Sequence, residues 1–546
     1  MTSVLVTPAE TGDGCRATPS TEVSGGSSSP SHECDKPATA PTALRAGVLA
    51  AALAALCLAE LLVVMDNTIV NVAIPTFSRE MGASTTQLQW IVDAYTLAFA
   101  CLLLPVGHLG DRLGRRAVLV AGLVGFGVVS AATALSAGLG AVILCRVLLG
   151  MSAAFIYPAT LSLIVTTFAG SLRKNMAVAL WAATSGVGIA LGPIIGGILL
   201  EHFSWQSIFW INVPLAVAAV GAVLAFVGEN RAKDGGGFDT IGVALSAAGV
   251  GAIVWAIIEG PQRGWTSLEV GGAFVAGLLA LALLVGWELH WRHPLIDVRL
   301  FLRREFSAGA IAISAAFFGL FGFTFVITQY FQAVRGYSAL LAGVATLPFA
   351  VVMAGVSPLS SLLARRFGPG WVVGTGLTIM GLGFARVIIL RADSSYWGII
   401  VPAMVVMAAG LALVQAPATS AIMGVVRGAQ VGAASAMNDT TREIGGTLGV
   451  AVLGSVVADR FGSAMNAATL PEEMPAGALT QARDSVSAAM AISEQLPSPL
   501  GEALQEVSSD AFMGALHHAV IVVAVVAWVG AALSFIILPR GRQYQD

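Results

Sequence analysis

Long apolar runs recur along almost the whole chain, and they constrain the fold more than any other feature. Each run is about 20 residues or longer, which lets a helix cross the roughly 30 Å hydrocarbon core of a bilayer. Of the 546 residues, 56% are hydrophobic and only 11% are charged. A soluble protein of this size needs more polar surface than that. The sequence therefore predicts an all-α polytopic membrane protein.

Fourteen membrane-spanning segments are predicted from these runs. Their approximate cores are residues 46–74, 87–106, 117–136, 139–165, 176–200, 207–228, 239–259, 269–290, 306–331, 338–363, 371–391, 397–424, 438–459 and 514–538. A cytoplasmic N-terminus places 20 of the 28 Lys and Arg residues on the cytoplasmic side, as the positive-inside rule expects. We therefore predict a multi-pass protein of the cell membrane with both termini in the cytoplasm.

Two segments outside the spans differ in composition from the rest. Residues 1–44 are rich in Ser, Thr, Pro and Gly and lack a signal-peptide pattern, so they are predicted to be a disordered cytoplasmic tail. Residues 460–513 form a long acidic loop on the outer side, expected to be partly helical around 476–493. A loop of this length is either a lid or vestibule element or a solvated spacer. The sequence leaves both open.

Charged residues within the spans are the first candidates for function, because each costs roughly 2.5–3.5 kcal/mol on insertion scales. Asp66 in LLVVMDNTIVNVAIP, Asp93 in WIVDAYTLAF and Arg146 in VILCRVLLG lie at similar depth on three different spans. We predict that they form a titratable proton site with Arg146 as the charge partner. The alternative is a static salt bridge that only fixes packing.

A second group of charges begins the thirteenth span, in MNDTTREIGGTLG. Asp439 and Glu443 are four residues apart and share a helical face, and Arg442 lies beside them. They are a second candidate group of charges within a span, or else they simply complement the dipole of a helix N-terminus. Glu60 is six residues from Asp66, hence on another face of the first span, and the sequence assigns it no role.

Two glycine-rich segments are candidates for conformational roles. GHLGDRLGRRAV, residues 107–118, is predicted to be a short cytoplasmic turn in which Asp111 caps a helix. A bond made there in only one conformation would act as a latch. GIALGPIIGG, residues 188–197, is predicted to give the fifth span a smooth packing face and a bend, with ordinary small-residue packing as the alternative. The candidate residues are Gly107, Gly110, Asp111, Arg112, Gly114, Arg115, Arg116, Gly188, Gly192, Pro193, Gly196 and Gly197.

Aromatic and amide side chains provide candidates for substrate binding, because aromatic faces attract organic cations. The alternative is that they belong to interfacial belts or to ordinary packing. These candidates are Trp90, Tyr95, Tyr157, Trp181, Phe325, Gln329, Tyr330 and Gln415.

The combination of these motifs resembles one family, the 14-helix drug:proton antiporters of the major facilitator superfamily, the QacA-like multidrug exporters. MDNTIVNVAIP resembles the family's first-span motif, GHLGDRLGRR its loop signature, and GIALGPIIGG its antiporter motif. CRVLLG resembles the arginine motif of the fourth span, with Leu149 where a glutamine is usual. The resemblance covers about residues 45–540.

The resemblance implies a major facilitator fold, with two pseudo-symmetric six-helix bundles in residues 45–230 and 306–540. Residues 231–305 would contribute two additional transmembrane helices and their cytoplasmic connectors. The resemblance also implies a substrate site near the midplane, alternating access, and proton coupling by Asp439 and Glu443. The tenth span, residues 338–363, lacks the carboxylate that exporters of divalent cations can carry, which argues against dicationic substrates.

We therefore predict a proton-coupled antiporter that exports hydrophobic, often cationic drugs or antibiotics from a bacterial cell, with a GC-rich actinomycete as the expected source. It is expected to act as a monomer, with the proton gradient as its energy source and with no cofactor, metal or nucleic acid. The sequence has no Walker-type phosphate loop, and its histidines lie in tails, loops or span ends, so ATP drive and an intramembrane enzyme are disfavoured. One alternative is a narrow exporter of a single endogenous metabolite or self-made antibiotic. A more distant alternative is a membrane sensor that does not transport.

Overall fold

A computed structural model describes residues 42–168, 174–229, 239–291, 298–424, 431–469, 471 and 474–538. These residues form helices and short connections and include no β-strand, so the predicted all-α fold class is confirmed. Most of the predicted tail, residues 1–41, lies outside the described residues. So do parts of the predicted cytoplasmic connectors, residues 230–238 and 292–297.

Eighteen α-helices occur within the described residues. They are α1 Thr42–Met81, α2 Thr85–Leu113, α3 Arg115–Ala134, α4 Leu139–Thr167, α5 Lys174–His202, α6 Ser207–Trp210, α7 Asn212–Phe226, α8 Thr240–Arg263, α9 Leu268–His290, α10 Arg304–Gln329, α11 Ala339–Val344, α12 Leu347–Phe367, α13 Pro369–Arg386, α14 Val401–Gly424, α15 Val431–Ala467, α16 Ala476–Ala482, α17 Val486–Ser493 and α18 Ser498–Ile537. Short 3₁₀ or π turns cover Val298–Leu302, Tyr330–Val334, Val387–Ile389 and Tyr396–Ile400.

Thirteen stretches of the described chain are long and apolar enough to cross a membrane, and each coincides with one predicted span. The remaining predicted span, residues 87–106, lies within α2. This helix is 29 residues long but carries the buried polar residues Gln89, Asp93 and Thr96. It packs against α4, α8 and α15, so these side chains are covered by protein.

The helices of each half of the chain pack mainly on one another. In the first half, α4 contacts α2 and α3, and α3 contacts α7. In the second half, α10 contacts α14, α15 and α18, while α13 contacts α14 and α18. Helices α8 and α9 pair, and the two halves meet where α2 contacts α15 and α5 contacts α11. The division into two bundles at about 230 and 306 stays a prediction.

The turn predicted for residues 107–118 is wrong in extent. Helix α2 continues to Leu113 and α3 begins at Arg115, so only Gly114 lies between them. Gly114 has φ 109°, which favours glycine, and its N–H donates to the carbonyl of Gly110 at 3.1 Å. Gly368, with φ 88°, makes the corresponding one-residue turn between α12 and α13. Helical hydrogen bonding therefore persists up to the one residue that must reverse the chain.

The other candidates in this segment do not form the expected loop. Gly107, Gly110 and Asp111 lie inside α2, and the residue that precedes α3 is Gly114 and not Asp111. The side chains of Asp111 and Arg112 lie outside the described part of the structure. Arg115 is half-buried, and Arg116 donates from Nη2 to the carbonyl of Leu224 at 2.7 Å, which ties α3 to α7.

The glycines of α5 form the close-packed face that was expected. The helix runs unbroken through Pro193. A Cβ at Gly188, Gly192 or Gly196 would collide with side chains of α1. A Cβ at Gly197 would collide with the backbone of Leu340 in α11. These contacts hold α5 against both α1 and α11.

The outer loop is shorter and more compact than predicted, because α15 extends to Ala467 and α18 begins at Ser498. We call the side of this loop the outer side, following the predicted orientation. Ser485 Oγ lies 2.8 Å from Ser78 Oγ of α1, and Thr85 Oγ1 of α2 donates to the carbonyl of Asp484 at 2.8 Å. Since Ser485 is buried, the described part of this loop is packed against α1 and α2 and is not a solvated spacer.

Candidate functional site in two buried charge clusters

The first charged group lies between α1, α4 and α7, and we call Asp66, Arg146, Asn212 and Tyr95 the outer cluster. Arg146 Nη1 donates to Asp66 Oδ2 at 2.7 Å, and Asn212 Nδ2 donates to Asp66 Oδ1 at 2.6 Å. All four side chains are fully buried. Both oxygens of the Asp66 carboxylate are therefore hydrogen-bonded, which is what a buried charge requires.

Arg146 also joins the outer cluster to α2. Its Nε donates to the carbonyl of Ile91 at 2.9 Å, and its guanidinium carbon lies 4.2 Å from the centre of the Tyr95 ring. Tyr95 in turn donates to the carbonyl of Val63 in α1 at 3.2 Å. A single side chain thus ties α4 to both α1 and α2. Its Nη2 has no hydrogen-bond partner among the described residues.

Asp93 does not join Asp66 and Arg146, although all three lie at similar depth. It is fully buried, and neither of its carboxyl oxygens has a hydrogen-bond partner within the described residues. Its neighbours on the same stripe of α2 face α15: Gln89 donates to the carbonyl of Ala451 at 2.9 Å, and Thr96 lies 2.9 Å from Thr447. Asp93 therefore lies on the α15 side of α2, away from Arg146.

The second charged group lies between α1, α4 and α15, and we call Glu60, Asp439, Arg442 and Glu443 the inner cluster. Arg442 Nη2 lies 3.4 Å from Glu443 Oε1 and donates to the hydroxyl of Tyr157 at 3.2 Å. Glu60 is close enough to interact electrostatically with both Arg442 and Asp439. Among the described residues, this cluster contains three carboxyl groups and one cation.

The dipole alternative for Asp439 and Glu443 is wrong. Helix α15 begins at Val431, with no acidic residue in its first turn, so both carboxyls lie beyond the reach of the terminal partial charge. Glu443 is buried, whereas Asp439 is half-buried and accepts a hydrogen bond from Asn438 at 3.3 Å. Whether these carboxyls couple to protons stays a prediction.

Aromatic rings connect the two clusters. Tyr95 and Phe99 have ring centres 6.1 Å apart, Phe99 and Tyr157 5.8 Å, and Tyr157 and Trp181 5.4 Å. The Arg146 guanidinium lies over Tyr95 at one end, and the Arg442 guanidinium lies 5.8 Å from the centre of Tyr157 near the other. Three of the predicted substrate-binding residues, Tyr95, Tyr157 and Trp181, are therefore brought together.

The other predicted substrate-binding residues lie apart from this row of rings. Trp90 donates to Glu259 of α8 at 3.2 Å, and Tyr330 donates to the carbonyl of Arg391 at 3.0 Å. Gln329 is buried and donates to the carbonyl of Phe325, which is also buried. Gln415 is half-buried in α14. Within the described residues no group of His, Cys, Asp and Glu is arranged to hold a metal ion.

Two residues of the clusters were not assigned from the sequence. Asn212 is a single neutral amide in an apolar segment, and only its position at the start of α7 brings it to Asp66. Glu60 is fully buried and accepts a hydrogen bond from Ser185 of α5. For Glu60 the sequence offered one signal: a carboxylate within an apolar span costs enough free energy to indicate a function.

Comparisons with known proteins agree with the predicted family. Residues 56–450 match the profile described as Major Facilitator Superfamily. The chain is 35% identical over 501 residues to the multidrug efflux pump LfrA of Mycolicibacterium smegmatis, covering 91% of this chain and 97% of that protein. It is 33% identical over 487 residues to the tetracenomycin C resistance and export protein of Streptomyces glaucescens, covering 88% and 90%.

A solved structure shares the fold at low sequence identity. It is the inward-facing, unoccupied bacterial homologue of the human lysosomal transporter Spinster, with a TM-score of 0.63 and 16% identity, covering 91% of this chain and 99% of that one. Together with the family profile and the similarity to two export proteins over most of their length, this likeness leads to one conclusion: the chain belongs to the major facilitator superfamily.

Proposed function

We propose that this protein is an antiporter that exports lipophilic, often cationic drugs in exchange for protons. Export of drugs is supported by the similarity to LfrA and to the tetracenomycin C export protein over most of both chains. Proton drive is supported by carboxyl groups buried within the spans, because such residues in transporters mark ion pathways. One proton moving through 100 mV supplies about 2.3 kcal/mol.

The outer cluster is suited to convert a proton into movement. When Asp66 is ionised, it holds Arg146 and Asn212, so α1, α4 and α7 are joined. A proton on Asp66 removes the charge that Arg146 pairs with and converts one acceptor oxygen into a donor. Arg146 then keeps only its contacts to α2. Protonation therefore favours separation of α1 from α4.

Asp93 supplies a second proton-accepting group. An ionised carboxylate with neither a cation nor a hydrogen-bond donor is strongly disfavoured in an apolar interior. The surroundings of Asp93 in this conformation therefore favour its neutral, protonated form. Ionisation of Asp93 requires α2, α8 and α15 to rearrange or water to enter, which links its proton to a conformational step.

We infer a cycle in which the two predicted bundles rock about a midplane site. With the site facing outward, the carboxyls take protons and the drug leaves. With the site facing inward, protons leave to the cytoplasm and the carboxylates accept new drug. No cofactor is needed in this cycle, and one chain is enough to complete it.

The observation that carries this proposal is the fully buried Asp66, held by Arg146 and Asn212 at one point where three helices meet. The test uses everted vesicles with an acid interior, a pH-sensitive dye, and a panel of lipophilic cations and neutral antibiotics. Wild-type protein is expected to dissipate the gradient on drug addition, and Asp66→Asn to lose this response. Equal responses would move proton coupling to Asp93, Asp439 or Glu443.

Narrow export of a single antibiotic is a second candidate, favoured by similarity to a protein named for tetracenomycin C alone. The same panel separates the two. Responses to several unrelated compounds support a multidrug exporter, whereas a response to one compound supports a dedicated exporter.

A further inference from the structure

We propose that Glu60 recognises the positive charge of the substrate, so that the inner cluster is the binding site for a monovalent organic cation. This inference rests on the proposed function and names the substrate class and the residue that selects it. It concerns a carboxyl that neither the sequence motifs nor the proposed proton cycle uses.

The charge balance of the inner cluster is the first support. Three carboxyls, those of Glu60, Asp439 and Glu443, lie near one cation, Arg442, within the described residues, and Glu443 Oε1 is 3.4 Å from Arg442 Nη2. If one carboxyl is protonated, the remaining two carboxylates and Arg442 leave one negative charge uncompensated. A monovalent cation supplies the missing charge. The outer cluster has no such deficit, because Asp66 and Arg146 balance each other.

The unused hydrogen-bonding capacity of Glu60 is the second support. Its side chain is fully buried and its Oε1 is held by the Ser185 hydroxyl, while no described residue hydrogen-bonds its Oε2. Buried acceptors are rarely left unused in native proteins. Glu443 Oε2 is also buried without a described partner. Two carboxyls of the inner cluster therefore each have an oxygen without a described donor or cation.

The position of Arg442 is the third support, because its guanidinium already makes the contacts that an aromatic cation site provides. It lies 5.2 Å from the ring centre of Phe317 and 5.8 Å from that of Tyr157, and it bonds the Tyr157 hydroxyl. Its side chain is 18% exposed, so the described residues do not enclose the cluster completely. An incoming lipophilic cation would meet the same rings and compete with Arg442 for the carboxylates.

The test measures binding to the purified full-length protein in lipid nanodiscs by calorimetry. The probes are tetraphenylphosphonium, a monovalent cation, and triphenylphosphine oxide, a neutral compound of related shape. Glu60→Gln is expected to bind tetraphenylphosphonium at least tenfold more weakly, with affinity for the neutral probe within twofold of wild type. Glu60→Asp, which keeps the charge, is expected to retain more cation affinity. As a control, Glu201→Gln removes an exposed carboxylate from α5, the helix that carries Ser185, and is expected to change neither affinity.

Unchanged binding of tetraphenylphosphonium by Glu60→Gln would overturn the inference, as would an equal loss for both probes. If Glu60→Gln does not fold, Arg442→Met replaces it: removal of the competing cation is expected to tighten tetraphenylphosphonium binding at least threefold, and an equal or weaker affinity would contradict the proposal. Wild-type protein that binds neither probe and exports neither would instead overturn the proposed function itself. Wild-type export of both probes with no effect of Glu60→Gln would overturn only the role of Glu60.

Discussion

The outer and inner clusters are built from the same groups, carboxyls and one arginine each, but they differ in balance. In the outer cluster one carboxylate meets one guanidinium, and both carboxylate oxygens are hydrogen-bonded at 2.6 and 2.7 Å. In the inner cluster three carboxyls share one guanidinium, whose bonds are 3.2 and 3.4 Å long, and two carboxyl oxygens have no described partner. Arg146 Nη2 and Asn212 Oδ1 also lack described partners, so the clusters differ in charge and not in hydrogen bonding alone. The outer cluster is balanced in charge without a ligand, whereas the inner one is not.

This difference separates two tasks that a proton-driven exporter must perform. A charge-balanced cluster stays intact until a proton removes one of its charges, so protonation can change the contacts between its helices. An unbalanced cluster has both the charge deficit and the unused acceptors that attract a cation. The row of rings from Tyr95 to Trp181 runs between the two. We infer that the drug is held near the inner cluster and the proton acts at the outer one.

The sharpest test of this comparison removes each arginine in turn. Arg146→Met leaves Asp66 buried without its cation, and breaking a buried pair in this way costs about 3–5 kcal/mol. Arg442→Met is expected to cost less, because its bonds are longer and its side chain is 18% exposed. Thermal unfolding in detergent, followed by size exclusion with fluorescence detection, measures the difference.

The double variant Asp66→Asn with Arg146→Met provides the control for this experiment. It removes both charges of the outer pair, so much of the lost stability is expected to return. Equal destabilisation by Arg146→Met and Arg442→Met would show that the two arginines are equally structural. The proposed division of tasks would then lose its basis.

The Asp66–Arg146 pair was predictable from sequence, whereas most of its surroundings were not. Depth along a helix can be counted from residue numbers, and that count placed Asp66 and Arg146 in one layer. The same count misplaced Asp93, because depth along a helix does not say toward which neighbour a side chain points. Tyr95 is two residues after Asp93 and therefore about 200° away around the helix axis. It is Tyr95, and not Asp93, that lies beside Arg146. Glu60 was correctly separated from Asp66. Its partners could not be derived, since they depend on which helices flank α1.

The fold showed the same division between local and long-range information. Apolar runs gave thirteen spans that match helices, because span length is a property of the local sequence and the bilayer. The expected turn over residues 107–118 failed because backbone hydrogen bonds continue the helix past glycines that need not turn. Only the positive φ of Gly114 was required. The outer loop packs on α1 and α2 through contacts between residues far apart in sequence, which local sequence patterns do not predict.

A smaller effect is expected from the amides that support each carboxylate. Asn212 donates to the fully buried Asp66 at 2.6 Å, whereas Asn438 donates to the half-buried Asp439 at 3.3 Å. Hydrogen bonds to charged groups contribute about 1.5–3 kcal/mol when well formed. Asn212→Ala is therefore expected to destabilise the protein by about that amount, and Asn438→Ala by under about 1 kcal/mol.

The same thermal assay compares the two amide variants, and drug-dependent proton movement in everted vesicles adds a functional reading. Asn212→Ala is expected to change the proton response along with stability, because it removes one of the two groups that hold Asp66. A larger loss of stability for Asn438→Ala than for Asn212→Ala would show that the inner cluster, and not the outer one, holds its carboxylate more tightly.

The smallest expected effect concerns the start of α2, where two neighbouring threonines form a matched pair for comparison. Thr85 Oγ1 donates to the carbonyl of Asp484 in the outer loop at 2.8 Å, whereas the buried Thr86 Oγ1 has no described partner. Thr85→Val removes one neutral hydrogen bond, worth about 1 kcal/mol, and loosens the loop from α2. Thr86→Val replaces an unsatisfied hydroxyl with a methyl group and is expected to be neutral or slightly stabilising.

Limited proteolysis between residues 474 and 497 measures the difference between the two variants. Cleavage is expected to be about fivefold faster in Thr85→Val, since 1 kcal/mol changes the population of the open loop by roughly that factor. In Thr86→Val the cleavage rate is expected to be unchanged. Equal cleavage of both variants would mean that the loop is held without the Thr85 hydroxyl, by its buried side chains and by the Thr85 backbone N–H, which also donates to the carbonyl of Asp484 at 3.2 Å.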